Sequence, residues 1–174
     1  MPQKNILLTG PPGVGKTTIV QKVAEDLGDR AGGFCTLEIR VGGQRTGFSI
    51  NTLDGRAATL ALAGGGGGPK VGRYIVNVVG IEKVAVPSIL YAIASGKVII
   101  IDEIGKMELY SVAFRNAVVR ALSSPSPVVA TIMERPNEFC DEIRRRPDVV
   151  LLSITRDTRG EMPERVPELL RTYL

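Results

Sequence analysis

Gly10-Pro11-Pro12-Gly13-Val14-Gly15-Lys16-Thr17 restricts what this chain can fold into more than any other stretch. It matches G-x-x-x-x-G-K-[ST] and lies between two recognisable elements. Ile6-Leu7-Leu8 before it is an apolar run of strand length. Thr18, Ile19, Val20, Val23, Ala24 and Leu27 after it recur at helical spacing up to Gly28, which predicts a helix C-cap there. Strand, glycine loop and helix together make a phosphate-binding loop. The glycines let successive backbone N–H groups turn inward as an anion nest, and the helix N-terminus adds partial positive charge. In such a loop Lys16 reaches the β- and γ-phosphates, and the Thr17 hydroxyl is a ligand for Mg²⁺.

The 174 residues suit one α/β domain, expected to span 1–174, and 44% hydrophobic with 23% charged residues is a globular balance. No apolar stretch approaches membrane-spanning length, and the phosphate loop begins too early for a signal peptide to precede it. The expected location is therefore cytoplasmic, with no membrane partner. Cys35 and Cys140 stand apart, without C-x-x-C spacing, and no histidine is present to complete a zinc site. Both are read as packed thiols. With histidine absent, general-base work must fall to a carboxylate, a lysine or the substrate. A net charge of +4 suits a polyanionic ligand. The basic residues are spread along the chain, so no nucleic-acid partner is expected, and the chain is taken as a monomer.

Beyond the first helix, Phe34 to Val41 alternates, Gly42-Gly43 follows, and Gln44 to Leu53 is again β-rich, which predicts a hairpin extending the sheet with antiparallel strands. Asp54-Gly55 is a turn. Gly64 to Gly68 followed by Pro69 is expected to be a flexible surface loop, a mobile linker in preference to a nucleotide lid. Arg73 to Val79 reads as a strand. Ile81 to Ala94 reads as a helix that Pro87 starts late or kinks, with Gly96 ending it. Further on come a helix at 109–122, a strand at 128–132, a helix at 137–146 capped by Asn137, a strand at 149–154 and a closing helix at about 164–173. The alternation predicts an α/β fold: a phosphate-loop NTPase architecture with a mainly parallel central sheet, helices on both faces and an antiparallel hairpin extension.

Val98-Ile99-Ile100-Ile101-Asp102-Glu103 is the second informative stretch. Four consecutive apolar residues predict a strand covered on both faces, which delivers two carboxylates to the crevice where open α/β sheets bind ligands. Asp102 is then the Walker B aspartate, a Mg²⁺ ligand through the water shell, and Glu103 is placed to orient or deprotonate a water aimed at the γ-phosphorus. Asp102 to Gly105 also fits D-x-x-G. No N-K-x-D follows anywhere in the chain, which disfavours a regulatory GTPase. Arg45, Arg56, Arg73, Arg115, Arg135, Arg144, Arg146 and Arg159 are all candidate transition-state cations, and sequence does not choose among them.

The phosphate loop through Thr18, together with Ile101-Asp102-Glu103-Ile104-Gly105-Lys106-Met107-Glu108-Leu109, resembles the THEP1 nucleoside-triphosphatase family. Arg45-Thr46-Gly47-Phe48, Leu53-Asp54-Gly55-Arg56, Val71-Gly72-Arg73-Tyr74, Asp141-Glu142-Ile143-Arg144 and Asp148-Val149 agree in order, so the likeness covers nearly the whole chain. The resemblance implies a Mg²⁺-dependent hydrolase of nucleoside 5′-triphosphates, with ATP, GTP, CTP and UTP as substrates. It implies nucleotide-binding stretches at Gly10, Pro11, Pro12, Gly13, Val14, Gly15, Lys16, Thr17 and Thr18, and at Val98, Ile99, Ile100, Ile101, Asp102, Glu103, Ile104 and Gly105. Catalysis is then assigned to Glu103, Lys16 and Lys106, with Glu108 a further site candidate and Thr17 and Asp102 on the metal. Asn77 departs from the acidic residue expected there. By analogy with nucleotide kinases, Thr155 to Arg159 is expected near the base. Two other classes stay open: a small-molecule or nucleotide kinase of the same fold, and a nucleotide-gated RNA- or partner-binding module.

Overall fold

The apolar runs assemble into one nine-stranded sheet in the computed structural model, which describes residues 2–174. In chain order the elements are β1 (Asn5–Thr9), α1 (Lys16–Leu27), β2 (Ala31–Val41), β3 (Gln44–Thr52), β4 (Ala57–Ala63), β5 (Lys70–Val71), β6 (Tyr74–Val76), α2 (78–94), β7 (Val98–Ile104), α3 (Val112–Ser123), β8 (Val128–Ile132), α4 (Glu138–Arg144), β9 (Val149–Ser153) and α5 (Met162–Leu170). Across the sheet the strands run β5-β6-β4-β3-β2-β7-β8-β1-β9. The five from β2 to β9 are parallel, and the four beyond β2 are antiparallel. The expected α/β architecture is thus present.

Strand β7 shows why the sheet is covered on both faces. Ile99 and Ile101 enter one core with α2, α3 and α4; Val98 and Ile100 enter the other with α1 and α5. Alternating side chains leave opposite faces of a strand, so a continuous apolar run requires helices on both sides. No helix among the described residues is long and apolar enough to cross a membrane.

Several expectations need correction. The first strand of the hairpin does not merely extend the sheet. It begins at Ala31 and pairs parallel with β7 from Ala31↔Val98 to Phe34↔Ile101, while Phe34 onward pairs antiparallel with β3. Gly32-Gly33 reads as a break in sequence, yet Gly33 sits at φ +109°, where a Cβ would lie 2.0 Å from Ile100 O. A glycine there lets β2 join the ladder. Strand β4, Ala57-Ala58-Thr59-Leu60-Ala61-Leu62-Ala63, escapes prediction because alanine is a poor strand former; its ladder with β3 is tertiary in origin. Residues 64–69 form the connection from β4 to β5 at the outer sheet edge, tied by Gly65 N–H to Leu62 O and Val76 N–H to Pro69 O, at 3.4 and 2.8 Å.

The strand expected at 73–79 stops at Val76, because Asn77 caps α2: its Oδ1 accepts from Gly80 N at 3.1 Å and its Nδ2 donates to Thr59 O at 2.9 Å. The departure at Asn77 therefore has a structural use. Pro87 does not delay the start of α2, which begins at residue 78. A widened turn, Ile81–Ala85, precedes the proline and absorbs the carbonyl that the ring would meet in a regular helix. Helix α3 starts at Val112, later than expected, since Ser111 Oγ accepts from Phe114 N at 3.0 Å as its N-cap.

Candidate active site

The phosphate loop joins β1 to α1 at the C-terminal edge of the parallel strands. Gly10 takes φ +154° with Ile154 O so close that a Cβ would lie 2.6 Å from it, and Gly15 opens α1 at φ +111°. The first turn of α1 carries no acidic residue and no side-chain cap, so its N–H groups and dipole remain available to an anion. Lys16 folds back along the loop, its Nζ 2.5 Å from Gly10 O.

Beneath the loop, Asp102 is fully buried at the end of β7, where the ladder with β8 is interrupted between Ile101 and Ile104. Thr131 Oγ1 donates to its Oδ1 at 2.8 Å and Thr17 Oγ1 to the same atom at 3.2 Å. Thr36 N–H approaches Oδ2 at 3.4 Å. Burial pushes the Asp102 carboxyl above the ordinary range; the hydrogen bonds from Thr131, Thr36 and Thr17 and the Lys16 charge pull it back. Four elements thus converge on one carboxylate. The strand order explains this, because β7 lies between β2 and β8 and faces the start of α1.

Glu103, partly buried, is raised chiefly by burial, with Lys16 opposing and Asp102 adding to the rise. Glu108 is 4% exposed, and burial holds it well above the usual carboxylate value, with Glu103 and Asp102 adding to the effect. The two glutamates flank Gly105: a methyl group placed there would lie 2.9 Å from Glu103 Oε1 and 3.1 Å from Glu108 Oε2. Gly105 is therefore where the backbone yields room for both carboxyl groups.

The structure brings Lys16, Thr17, Asp102 and Glu103 together. It separates others. Val98, Ile99, Ile100, Ile101 and Ile104 are buried in the cores and carry Asp102 and Glu103 to the crevice, presenting no polar side chain themselves. Thr18 and Lys106 are exposed, and Lys106 makes no hydrogen bond or ion pair among the described residues. Of the candidate arginines, Arg159 touches the phosphate loop, with Nη1 3.4 Å from Val14 O. Its own turn is locked by reciprocal bonds between Thr155 and Thr158, at 3.0 and 3.2 Å. Arg56 pairs with Asp54, Arg146 with Asp148, and Arg144 with Asp141 and Met133 O. Thr36 and Thr131 are absent from the sequence-based site. Thr131 carries the one hydroxyl in the apolar run Val128-Val129-Ala130-Thr131-Ile132, a signal legible at the end of a strand.

Both Cys35 and Cys140 are buried free thiols, pushed up by burial to about 12 and about 11 respectively, which disfavours the thiolate. A hard cation fits the corner of Thr17 and Asp102, which offers oxygen donors alone. Among the described residues no cluster of three metal-ligating side chains occurs. A cation there would take its remaining ligands from phosphate and water, which is how Mg²⁺ is ordinarily held.

Residues 5–167 match a family model described as NTPase. The nucleoside-triphosphatase THEP1 of Thermofilum pendens is 48% identical, with 98% of this chain and 96% of that protein covered. The human cancer-related nucleoside-triphosphatase is 38% identical over 91% of this chain and 92% of its own length. Among solved structures, the crystal structure of THEP1 from the hyperthermophile Aquifex aeolicus superposes with a TM-score of 0.88 at 43% identity, covering 95% and 98% of the two chains. The solution structure of a human cancer-related nucleoside triphosphatase gives 0.84 at 36% identity, covering 97% and 98%.

Proposed function

We propose that this chain, which belongs to the THEP1 nucleoside-triphosphatase family, hydrolyses ATP, GTP, CTP and UTP to the diphosphate and phosphate in a Mg²⁺-dependent reaction. One observation carries the reading: Thr17 and Asp102 meet at 3.2 Å directly under the phosphate loop, with Glu103 the next residue. The loop N–H groups and the start of α1 bind the phosphate tail. Lys16 leaves Gly10 O to neutralise charge on the β- and γ-oxygens. Thr17 and Asp102 would hold Mg²⁺, which would supply positive charge against the charge developing on the phosphate oxygens.

Glu103 orients the attacking water and takes its proton. Burial has already raised its basicity, and the phosphate leaving group is a weak base, so no stronger base is needed. Lys106, exposed on the turn after Gly105 and apart from the loop, would act only by swinging toward the phosphate tail. Arg159 and the Thr155–Thr158 turn, which touch the loop at Val14 O, are assigned to the base by analogy with nucleotide kinases. Buried free thiols suit a reducing cytoplasm.

The test is phosphate release from each of the four triphosphates with Mg²⁺ and no acceptor, comparing wild type with Glu103→Gln. Loss of a general base predicts a fall of about 10²–10⁴-fold in turnover with nucleotide affinity kept. Equal turnover in the variant removes Glu103 from the chemistry. No release from any triphosphate refutes hydrolysis and returns the kinase alternative.

A further inference from the structure

Past the last parallel pair, the hairpin of β2 and β3 and the turn before β6 carry a group of cations that the proposed hydrolysis does not use. Arg45 Nε donates to Tyr74 Oη at 2.9 Å, and Arg73 Nη2 donates to the same oxygen at 3.1 Å. Arg73 also donates to Arg45 O. Glu38 pairs with Arg45 at 3.1 Å and with Arg40 at 2.6 Å, and no other carboxylate forms an ion pair with these three arginines among the described residues. Arg40 and Arg45 thus share one carboxylate, and Arg73 pairs with none among the described residues.

Ring contacts fix them in place. The Arg45 guanidinium lies 5.1 Å from the Phe48 centroid and 5.8 Å from that of Tyr74; Arg73 lies 5.2 Å from Tyr74. One cation per ring would be enough to staple β3 to β6. A second guanidinium on the same phenol oxygen adds repulsion, which an anion would relieve. Arg73 Nε and Nη1 and Arg45 Nη2 donate to no protein atom among the described residues. Their planar forks are held in position before any ligand arrives.

The placement relates the cluster to the site. Thr36, Glu38 and Arg40 alternate onto one face of β2, and Arg40 pairs in register with Arg45. Thr36 approaches Asp102, and Arg40 lies four residues on, about 13 Å along a strand running toward the C-terminal edge. Ligands of open α/β sheets bind at that edge.

We propose that Arg45 and Arg73, with Arg40 beside them, form a second anion site, separate from the phosphate loop, for the phosphate group of a small molecule. Guanidinium forks match phosphate oxygens in bidentate fashion, and the excess of three cations over one carboxylate suits a phosphate dianion. The same chemistry admits inorganic phosphate, the product of hydrolysis, or a phosphomonoester.

Inorganic phosphate and glycerol 3-phosphate are each titrated into the full chain saturated with Mg²⁺ and nucleoside diphosphate, which fills the phosphate loop. Binding is read by calorimetry and by the side-chain Nε–H resonances of Arg45 and Arg73. Both resonances should shift in wild type, and R73Q and R45Q should each weaken binding by about tenfold or more, the loss expected for one charge-assisted bidentate contact. Tighter binding of glycerol 3-phosphate identifies an organic phosphate as the ligand; equal binding identifies the product. If the diphosphate itself does not bind, the reading of the loop fails, while phosphate binding that R45Q and R73Q weaken still supports the second site. Absence of binding to wild type, still resonances at both arginines, or unchanged affinity in both variants overturns the proposal.

Discussion

Thr131→Val tests whether Asp102 is held as the geometry describes. Valine keeps the branched shape in β8, but removes the hydroxyl that donates to Asp102 Oδ1 at 2.8 Å. The site is fully buried, so water cannot replace that donor. A hydrogen bond to a charged group contributes about 1.5–3 kcal/mol, and about 2 kcal/mol is expected here because Thr17 and Thr36 still reach the carboxylate. For a chain of this length that lowers the melting temperature by about 4–8 °C. Removing the donor also removes one of the effects that favour the carboxylate, so the Asp102 carboxyl rises further and the acid limb of hydrolysis moves to higher pH. The assay is thermal unfolding of metal-free protein at pH 5 and pH 8, with a pH profile of phosphate release. The loss should be larger at the higher pH, where the ionised form that Thr131 favours is more populated. Thr131→Ser, which restores the hydroxyl, should recover most of both effects. A melting temperature within a degree of wild type at pH 8, or an unmoved acid limb, refutes the reasoning.

Lys16→Ala should weaken nucleoside triphosphate binding by at least tenfold, the loss of a charge-assisted contact, as read by equilibrium titration. Glu108→Gln addresses linkage. The folded carboxyl of Glu108 is raised, so its contribution to stability is present below the unfolded value and lost as pH rises through the folded one. The variant should therefore unfold at higher denaturant concentration than wild type at pH 8 and nearly equally at pH 4; the reverse order would contradict the assignment. Gly33→Ala forces a Cβ at φ +109° to within 2.0 Å of Ile100 O and should cost about 3 kcal/mol or more in urea unfolding.

Local chemistry made much of this protein legible. The phosphate loop announces itself because its glycines, lysine and threonine act through neighbouring backbone, and the flanking strand and helix are contiguous in sequence. The run Val98–Ile101 ends in Asp102-Glu103, so a buried strand aiming two carboxylates at the crevice could be read directly. Asn137 announced its cap, and Gly28 its helix end. Each of these rests on interactions within a few residues.

The rest depended on which strands became neighbours. Nothing near Thr36 or Thr131 tells of Asp102; the contact exists because β2 and β8 flank β7. The alanines of β4 form a strand because β3 and β6 pair with them, not through their own propensity. Arg159 was one of eight equivalent arginines until β9 came to lie beside β1 and set its turn over Val14. The sequence by itself thus determined the phosphate chemistry, because that chemistry is built from contiguous backbone. The tertiary structure alone decided which hydroxyls, acids and arginines surround it, because burial and register join residues a hundred positions apart, and no local pattern encodes that pairing.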